Sequence, residues 1–508
     1  MNDRVRRCLA VVLTILMAVV VAACGGSQAG DSGRPRLAFG AAAIPASLDP
    51  RQVSPYDAQL AGLLYDSLIK RDTAGAYQPG LATEWALSED LLSLDLTLRT
   101  GVTFQDGAPF DAAAVKANLD AAKDPATTLA GQVGPISEVE VVDDTHVRLR
   151  FSEPFSPILG VLAGEAGMMI SPAALGSTDK AKTPPGAGPF TLDSFNGGTI
   201  RLSAWDGYWN KDAIRIGGID ITVFLDESAR MRALRSGQID VAGIQPQQIP
   251  EAESGRLQTV SADTADFWGV IVNTGHPQLG NPDVRRAMML AIDRRAIADN
   301  VFAGGCTPSA QPFSPGDWAN RPELDASPAA QFDPARAKQL LAEAGVPDGF
   351  SFELQSNTST TAQQLTQVLQ AQWAAIGIDV VLKPMENVQF VTARRNGEFE
   401  ATMSVFITSR PDQSQFVKNF YLPDGIFNPG DFEVPGTAEQ LAAASASSDV
   451  AVRQEALHRI VGDVLEAGPP VFPICARVSV WAFREGVQGV SISPLFDPEL
   501  GGISVDRS

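Results

Sequence analysis

The sequence predicts a mixed α/β protein with several domains. Segments in which apolar residues alternate, which are typical of half-buried strands, occur between amphipathic segments that begin at helix-capping residues. The chain has 508 residues, of which 44% are hydrophobic. This length indicates two or three domains with a large buried core.

The strands are predicted from strict alternation of apolar and polar positions. The apolar positions of three such strands are Leu94, Leu96 and Leu98, then Val147, Leu149 and Phe151, then Ile219, Ile221 and Val223. Residues 106–109, 186–189 and 237–240 combine glycine with Asp or Pro, and this composition predicts turns at the borders of strands.

The helices are predicted from their capping residues, which satisfy the first free backbone N–H groups. Helices are expected directly after Asp111, Asp226, Asn281 and Asp333, with further helices over 361–376 and about 450–467. Gly345 and Gly377 are expected to end two of them, because glycine tolerates the left-handed conformation at a helix end.

The start of the chain predicts a secretory signal. Three arginines precede residues 9–23, an apolar run of 15 residues that is short for a membrane span. Val21-Ala22-Ala23-Cys24 resembles a bacterial lipobox, in which the chain is cut before the cysteine and the cysteine is acylated. We therefore expect a lipoprotein signal peptide over 1–23, a lipidated Cys24 and a flexible tether over 24–35. The alternative is an uncleaved anchor helix, and both place the remaining chain outside the cytoplasm.

The charge of the chain argues against nucleic-acid binding. Without residues 1–23, which hold three arginines and one aspartate, 36 basic and 58 acidic residues remain, a net charge of −22. A nucleic-acid partner requires a basic face. No later segment approaches 18 unbroken apolar residues, so the expected membrane contact is the lipid anchor alone.

Two cysteines remain after Cys8 in the signal and Cys24 at the anchor. Cys306 and Cys475 would lie in an oxidising compartment, where a disulfide between them is one interpretation. The other is a pair of buried free thiols, and the sequence leaves both open.

Catalytic and metal-binding motifs are missing from the sequence. His146, His276 and His458 have no ligand spacing and are interpreted as surface or capping residues. Gly-x-Ser-x-Gly, P-loop and Cys-x-x-Cys patterns are absent. We therefore predict a protein that is not an enzyme and that carries no metal or cofactor.

A series of segments resembles the family 5 extracellular solute-binding proteins, which serve ABC importers of peptides, nickel and related solutes. LATEWALSEDLLSLDLTLRTGVTFQDGAPFDAAAVKANLD, residues 81–120, is similar to the signature region of that family. Further similar segments are SLDPRQ at 47–52, GAGPFTLDSFNGGTIRLSAWDGYWN at 186–210, RMRALRSGQIDVA at 230–242, NPDVRRAMMLAIDRRAIADNVFAGG at 281–305, FDPARAKQLLAEAGVPDGF at 332–350 and IGIDVVL at 376–382.

The resemblance implies a two-lobed periplasmic-binding-protein type II fold with an extra inserted domain. It implies domain I over 36–62, 183–268 and 476–508, inserted domain II over 63–182, and domain III over 269–475. A hinge would join the lobes, and a solute would lie between domains I and III. The implied partners are an ABC permease and its ATPase at the outer face of the cytoplasmic membrane, and we expect a monomer.

The solute class is predicted from FEATMSVFITSRPDQSQF, residues 399–416. In peptide-binding relatives an aspartate in the corresponding stretch pairs with the α-amino group of the ligand, and Ser409 occupies that position here. A charge-assisted bond to an ammonium is therefore lost at this point, although Asp412 is a nearby alternative. Arg410 suggests an anionic ligand group or, alternatively, a solvated loop residue. The predicted solute is a peptide-like or other small organic compound, and a modified or acidic peptide-like solute is favoured over ordinary peptides with a free amine.

Other candidate ligand residues follow from the same resemblance. Leu48 and Asp49 lie in a loop that borders the cleft in relatives, and Phe267 and Trp268 precede the expected crossover strand. For Phe267 and Trp268 a role in the core is the alternative. The candidate ligand set is Leu48, Asp49, Phe267, Trp268, Phe406, Ile407, Thr408, Ser409, Arg410 and Asp412.

Two other functions remain open at this point. One is a lipoprotein of the same fold that regulates cell-envelope processes through protein contacts. The other is a hydrolase, for which the sequence offers no motif. The leading prediction is the lipid-anchored solute-binding component of an ABC importer.

Overall fold

The computed structural model describes residues 33–45, 47–53, 58–72, 75–176, 184–408, 412–493, 496–498 and 500–506. The predicted signal peptide, Cys24 and most of the tether lie outside these residues, as do Ser409 and Arg410. Within the described part of the chain, no helix is long and apolar enough to cross a membrane.

The strands follow the predicted mixture of sheet and helix. They are β1 (Arg36–Ala41), β2 (Ile69–Arg71), β3 (Tyr77–Pro79), β4 (Ala82–Leu87), β5 (Ser93–Leu98), β6 (Ile136–Asp143), β7 (His146–Phe151), β8 (Phe190–Asn196), β9 (Thr199–Ala204), β10 (Gly218–Val223), β11 (Val241–Ile244), β12 (Gln258–Val272), β13 (Cys306–Pro308), β14 (Ser351–Asn357), β15 (Asp379–Met385), β16 (Ala401–Ile407), β17 (Val471–Phe483), β18 (Val487–Gln488), β19 (Ile492–Ser493), β20 (Phe496–Pro498) and β21 (Ser504–Val505). The alternating strands predicted from the sequence are confirmed as β5, β7 and β10.

The helices pack on both faces of the sheets. They are α1 (Ala58–Leu64), α2 (Ala112–Ala122), α3 (Ala130–Val133), α4 (Ile158–Ala163), α5 (Pro172–Leu175), α6 (Glu227–Ser236), α7 (Ile249–Ser254), α8 (Pro282–Leu290), α9 (Arg294–Asn300), α10 (Pro322–Asp325), α11 (Pro334–Glu343), α12 (Thr360–Ala374), α13 (Asn387–Arg395), α14 (Ser414–Phe420), α15 (Thr437–Ser445) and α16 (Val450–Glu466). Short 3₁₀ helices cover Glu165–Gly167, Lys211–Ala213, Pro246–Gln248 and Leu500–Gly502.

The predicted capping residues act as caps. The carboxylate of Asp111 accepts a hydrogen bond from the backbone N–H of Ala114, and Asp226, Asn281 and Asp333 accept equivalent bonds at their own helices. Downstream of α11 and α12, Gly345 and Gly377 have φ values of +80° and +98°. Both ends therefore use the left-handed conformation that glycine tolerates.

Among the described residues, one eleven-stranded sheet runs through most of the molecule. Its order is β15-β14-β16-β12-β17-β11-β1-β10-β9-β8, and β13 pairs with the edge of β17. We call β1 and β8–β11 with their helices the first lobe, and β14–β16 with theirs the second lobe. The long antiparallel strands β12 and β17 run through both and are called the crossing strands.

Separate hydrophobic clusters fill the faces of the two lobes. One cluster packs α6 and α7 against the first lobe, and a second fills the opposite face under α1. In the second lobe, α8, α9, α11 and α12 cover one face, and a phenylalanine-rich cluster with α14 and α16 covers the other. This layering is the mixed α/β architecture that the sequence predicted.

A smaller sheet, β4-β5-β7-β6 in the described residues, has a core of its own with α2 and α4. Its cluster draws on residues between Leu68 and Ala187. We call this part the inserted unit. The domain limits given above remain a prediction.

Candidate functional site

The carboxyl ends of the parallel strands face each other across the crossing strands. In the first lobe the last residue of β11, Ile244, pairs with Val480 of β17. In the second lobe the last residue of β16, Ile407, pairs with Asp266 of β12. β11 and β16 each run antiparallel to the crossing strand beside them, so each points towards the other lobe. Ligands of open α/β sheets bind outside the carboxyl ends of the strands, so the space between the lobes is the candidate site.

The pairing of the crossing strands is irregular at this level. The register of β12 against β17 shifts between Asp263 and Phe267, where the two halves of the sheet meet. Asp266 is fully buried there, and its carboxylate accepts a hydrogen bond of 2.9 Å from Nη1 of Arg477. A bulge of this kind bends a strand, so the irregularity lies where a hinge is expected.

A cavity of about 890 Å³ lies between the lobes. From the first lobe it is lined by the start of α6 and by the segment after β11, and from the second lobe by α9, the start of α11 and one side of α12. The polar lining residues in the described chain are Glu227, Ser228, Gln245, Gln247, Gln248, Asn300, Thr360, Thr361, Gln364, Gln367 and Gln372. Its volume is that of a small-molecule site.

Uncharged amides dominate the polar part of this lining. Among the described residues that line the cavity, Glu227 is the one ionisable group. Gln245 donates to it at 3.0 Å, while Gln247 donates to the carbonyl oxygen of Val301 at 3.0 Å and so links the lobes. Side-chain amides offer both a donor and acceptors, so this wall can bond a solute rich in amide or hydroxyl groups.

The predicted loop residues Leu48 and Asp49 are largely engaged within the first lobe. Leu48 is buried in the cluster under α1. The carboxylate of Asp49 accepts a 2.6 Å hydrogen bond from Arg51, which also donates to the carbonyl oxygen of Leu175. The hydrogen bond to Asp49 raises the pKa of Arg51.

The predicted aromatic residues lie at the start of the second lobe. Phe267 and Phe406 are buried in one phenylalanine-rich cluster with ring centroids 5.5 Å apart. Trp268 is half-buried and packs beside Phe302 with centroids 6.0 Å apart. Because both phenylalanines are more than 95% buried, their rings belong to the core of the second lobe and not to an open surface. Ligand contact by these three residues stays a prediction.

The segment that follows β16 is held by buried polar contacts. Ile407 is half-buried, and the buried Thr408 donates through Oγ1 to the carbonyl oxygen of Ala265 at 2.9 Å. Asp412 accepts hydrogen bonds of 2.6 and 2.7 Å from Nη2 of Arg453. Its carboxylate therefore already has a cationic partner, so it is a poor substitute for an amine-binding aspartate.

The structure joins Cys306 and Cys475 in a disulfide with a Cα–Cα distance of 5.7 Å. The bond links β13 to β17, one of the two crossing strands. Both residues are buried. Bridges of this kind persist in oxidising compartments.

The cavity glutamines were missed by sequence reasoning. Gln245, Gln247 and Gln248 come directly after a strand that ends at the sheet edge, and this position was the available signal. Gln364 and Gln367 on α12 carried no comparable signal, because they are ordinary polar positions of an amphipathic helix. No group of three or more metal-ligating side chains occurs in the described residues.

Two lobes whose strands point their carboxyl ends towards each other, with a cavity between them, define a two-lobed binding protein. Residues 76–428 match the family described as bacterial extracellular solute-binding proteins, family 5 Middle. The chain belongs to this family. Its members are binding proteins of transport systems rather than enzymes, which confirms the prediction made from the missing catalytic motifs.

Named relatives support the assignment over nearly the whole chain. The glutathione-binding protein GsiB of Salmonella paratyphi A (strain ATCC 9150 / SARB42) is 31% identical over 465 residues, which cover 87% of this chain and 90% of that protein. GsiB of Escherichia coli (strain K12) is 30% identical over the same shares of both chains.

Solved structures of similar proteins show the same fold. The binding protein AgaA of A. tumefaciens R10, in complex with agropinic acid, is 25% identical, with a TM-score of 0.83 over 93% of this chain and 99% of that one. A dipeptide binding protein from Pseudoalteromonas sp. SM9913, in complex with Met-Leu, is 21% identical, with a TM-score of 0.83 over 92% and 100%.

Proposed function

We propose that this protein is the lipid-anchored, extracytoplasmic solute-binding component of an ABC importer. It captures a peptide-like or other small organic solute between the lobes and delivers it to a permease with its ATPase. The observation that carries the proposal is a cavity of about 890 Å³ between the two lobes, at the carboxyl ends of their strands, in a chain of this family.

Closure of the lobes explains how such a site retains its solute. The crossing strands join the lobes, and their pairing is interrupted at the level of the cleft. A hinge at that level opens and closes the cavity, and a solute shifts this equilibrium by its preference for the closed form.

The solute class is inferred from the lining and from the relatives. Glutathione, agropinic acid and a dipeptide are the solutes named for the relatives above. An amide-rich lining suits compounds of this kind. Ser409 and Arg410 keep their proposed part in selecting a modified or acidic peptide-like solute.

The proposed cellular location is supported by the lipobox-like motif near the amino terminus and by the disulfide. An acylated Cys24 would hold a monomeric receptor at the outer face of the cytoplasmic membrane, beside its permease. Replacement of Cys24 by Ala is expected to abolish incorporation of labelled palmitate and to release the protein from the membrane fraction. A Cys24→Ala protein that stays acylated and membrane-bound contradicts the anchor.

Thermal unfolding against a solute panel tests the transport proposal. The panel holds glutathione, di- to pentapeptides, N-blocked and acidic peptides, opine-like compounds, nickel chelates and oligosaccharides. At 100 times its dissociation constant a solute adds about 2.7 kcal/mol of stability. That gain corresponds to several degrees at about 2–4 °C per kcal/mol. A cooperative transition that no solute shifts would contradict the proposal and favour the regulatory lipoprotein.

A double variant tests whether the solute binds in the cavity. Replacing Gln364 and Gln367 by Ala removes two amides from its wall, and at about 0.5–1.5 kcal/mol per hydrogen bond the affinity should fall about tenfold. Gln363→Ala, on the same helix but outside the lining, is the control and should bind as the wild type. If the wild type, the double variant and Gln363→Ala bind the solute with equal affinity, the solute does not bind at this wall of the cavity.

A further inference from the structure

Carboxylates near the cleft differ in whether they have a cationic partner. Three aspartates of the described residues, two of them candidate ligand residues, are paired with arginines at 2.6–2.9 Å, namely Asp49 with Arg51, Asp266 with Arg477 and Asp412 with Arg453. Their charges are therefore neutralised within the protein. Asp263 has no Lys, Arg or His within 4.0 Å in the part of the chain that the structure describes.

Asp263 lies at the level of the cleft. It pairs with Val478 in the last regular position of β12 before the register shift. Two residues further along β17, Val480 pairs with Ile244, the last residue of β11. Three residues further along β12, Asp266 pairs with Ile407, the last residue of β16. Asp263 thus lies between the carboxyl ends of β11 and β16, which define the candidate site.

Asp263 also lies on the side of the sheet that carries the cavity. Paired residues of neighbouring strands share a face, and its partner Val478 packs against the cluster of α6 and α7. The first residues of α6, Glu227 and Ser228, line the cavity together with the segment 245–248 that leads into α7.

The carboxylate of Asp263 lies outside the lining of the cavity and is accessible but partly desolvated. Its side chain is exposed to solvent, yet burial by neighbouring atoms raises the pKa of Asp263, against a weaker opposing effect of a hydrogen bond from Thr307. The Oγ1 of Thr307 donates to Oδ1 at 3.4 Å. An accessible acid that is nevertheless partly desolvated is typical of a cleft and of a functional site.

We propose that Asp263 receives a cationic nitrogen of the solute, an ammonium or guanidinium group, and so determines which solutes bind. The inference rests on the proposed transport function. A carboxylate without an internal counter-charge, in a cleft that closes, is stabilised by a charge-assisted hydrogen bond from the solute. Glu227 at the cavity wall lies in the first turn of α6, where the helix N-terminus already stabilises its negative charge, so Asp263 is the assigned partner.

The test compares solutes that differ in one charge. Glutathione and trialanine are titrated calorimetrically near neutral pH with a free and with an N-acetylated amine, as is any other amine that stabilises the protein in the panel. The wild type should bind the free-amine form at least about tenfold more tightly. Asp263→Asn and Asp263→Ser should lose this preference, and the affinity for the N-acetylated form should change little.

An exposed carboxylate away from the cleft serves as the control. Asp144→Asn removes such a group from the inserted unit. This variant should keep the preference for a free amine. Wild-type binding that ignores N-acetylation, a preference that survives in Asp263→Asn, or binding of neutral and anionic solutes alone overturns the inference and leaves the transport proposal standing. Absence of binding by every solute contradicts both.

Discussion

At the scale of single residues, a buried ion pair holds the segment beside the cleft. Asp412 and Arg453 have side chains that are 4% and 11% exposed. Asp412 also accepts hydrogen bonds from the backbone and the hydroxyl of Ser414 at the start of α14. The guanidinium of Arg453 lies over the ring of Trp318 at 5.2 Å. The pair thus ties the chain after β16 to α16.

Replacing Asp412 by Asn should destabilise the protein by about 3–5 kcal/mol, because Arg453 would remain buried without its counter-charge. Denaturant unfolding measures this loss. The double variant Asp412→Asn with Arg453→Met removes the stranded charge and should recover part of the stability. A double variant as unstable as the sum of the two single variants would refute a coupled pair.

The same pair predicts a response to acid. Burial alone raises the pKa of Asp412, but the charge of Arg453 and the hydrogen bonds from Ser414 and Arg453 outweigh it, so the pKa lies below its ordinary value. A lowered pKa stabilises the fold above the unfolded value of about 3.9, and this contribution is lost as the pH falls through the folded value. The stability difference between wild type and Asp412→Asn should therefore shrink below about pH 4.

At the scale of elements, the turn that enters β8 is defined by backbone contact rather than by local conformation. A Cβ built on Gly188 would lie 2.5 Å from the backbone nitrogen of Tyr65 and close to the carbonyl of Leu64. Gly186 meets the same carbonyl group. The two glycines therefore allow the end of α1 to pack directly on this turn.

Gly188→Ala should cost about 1–3 kcal/mol, because two backbone segments must separate to admit the methyl group. Gly131→Ala in α3, where no atom lies within 4 Å of the added Cβ, is the matched control. Unfolding in urea should show a lower midpoint for the first variant and little change for the second. Equal midpoints would show that the contact at α1 is dispensable.

Local features were predictable from sequence and long-range contacts were not. Caps such as Asp111 and Asp333 act within three residues, so their pattern is visible in the sequence. The turn at 186–189 was predicted as a turn, but the reason for its glycines lies at Leu64, more than 120 residues away. The cavity glutamines depend likewise on how the lobes face each other.

At the scale of the whole molecule, the two-lobed plan came from resemblance, because strand order is not encoded locally. β12 and β17 are neighbours in the sheet, although about 200 residues separate them in the chain. Periodicity identified strands such as β10 but not this pairing. The crossing strands place Asp263 and the cavity between the lobes, so the site is a property of topology.

The inserted unit contacts the second lobe directly. The backbone N–H of Ser156 donates to the carbonyl oxygen of Ser445 at 2.9 Å, and its hydroxyl donates to that of Ala444 at 3.4 Å. These contacts bridge parts of the chain that a hinge motion would separate, so they should stabilise the closed form.

Ser156→Asp tests whether this bridge favours closure. Ser156 is 8% exposed, and a carboxylate there would face two carbonyl oxygens in a buried position. A penalty of about 1–2 kcal/mol on the closed form corresponds to a 5- to 30-fold weaker solute affinity. Small-angle X-ray scattering should show a larger radius of gyration without solute, which a saturating solute reverses.

The exposed Ser152→Asp is the control and should leave both the solute affinity and the radius of gyration unchanged. If Ser156→Asp retains wild-type affinity and radius, the contact does not act on closure, and the crossing strands alone set the balance between open and closed forms.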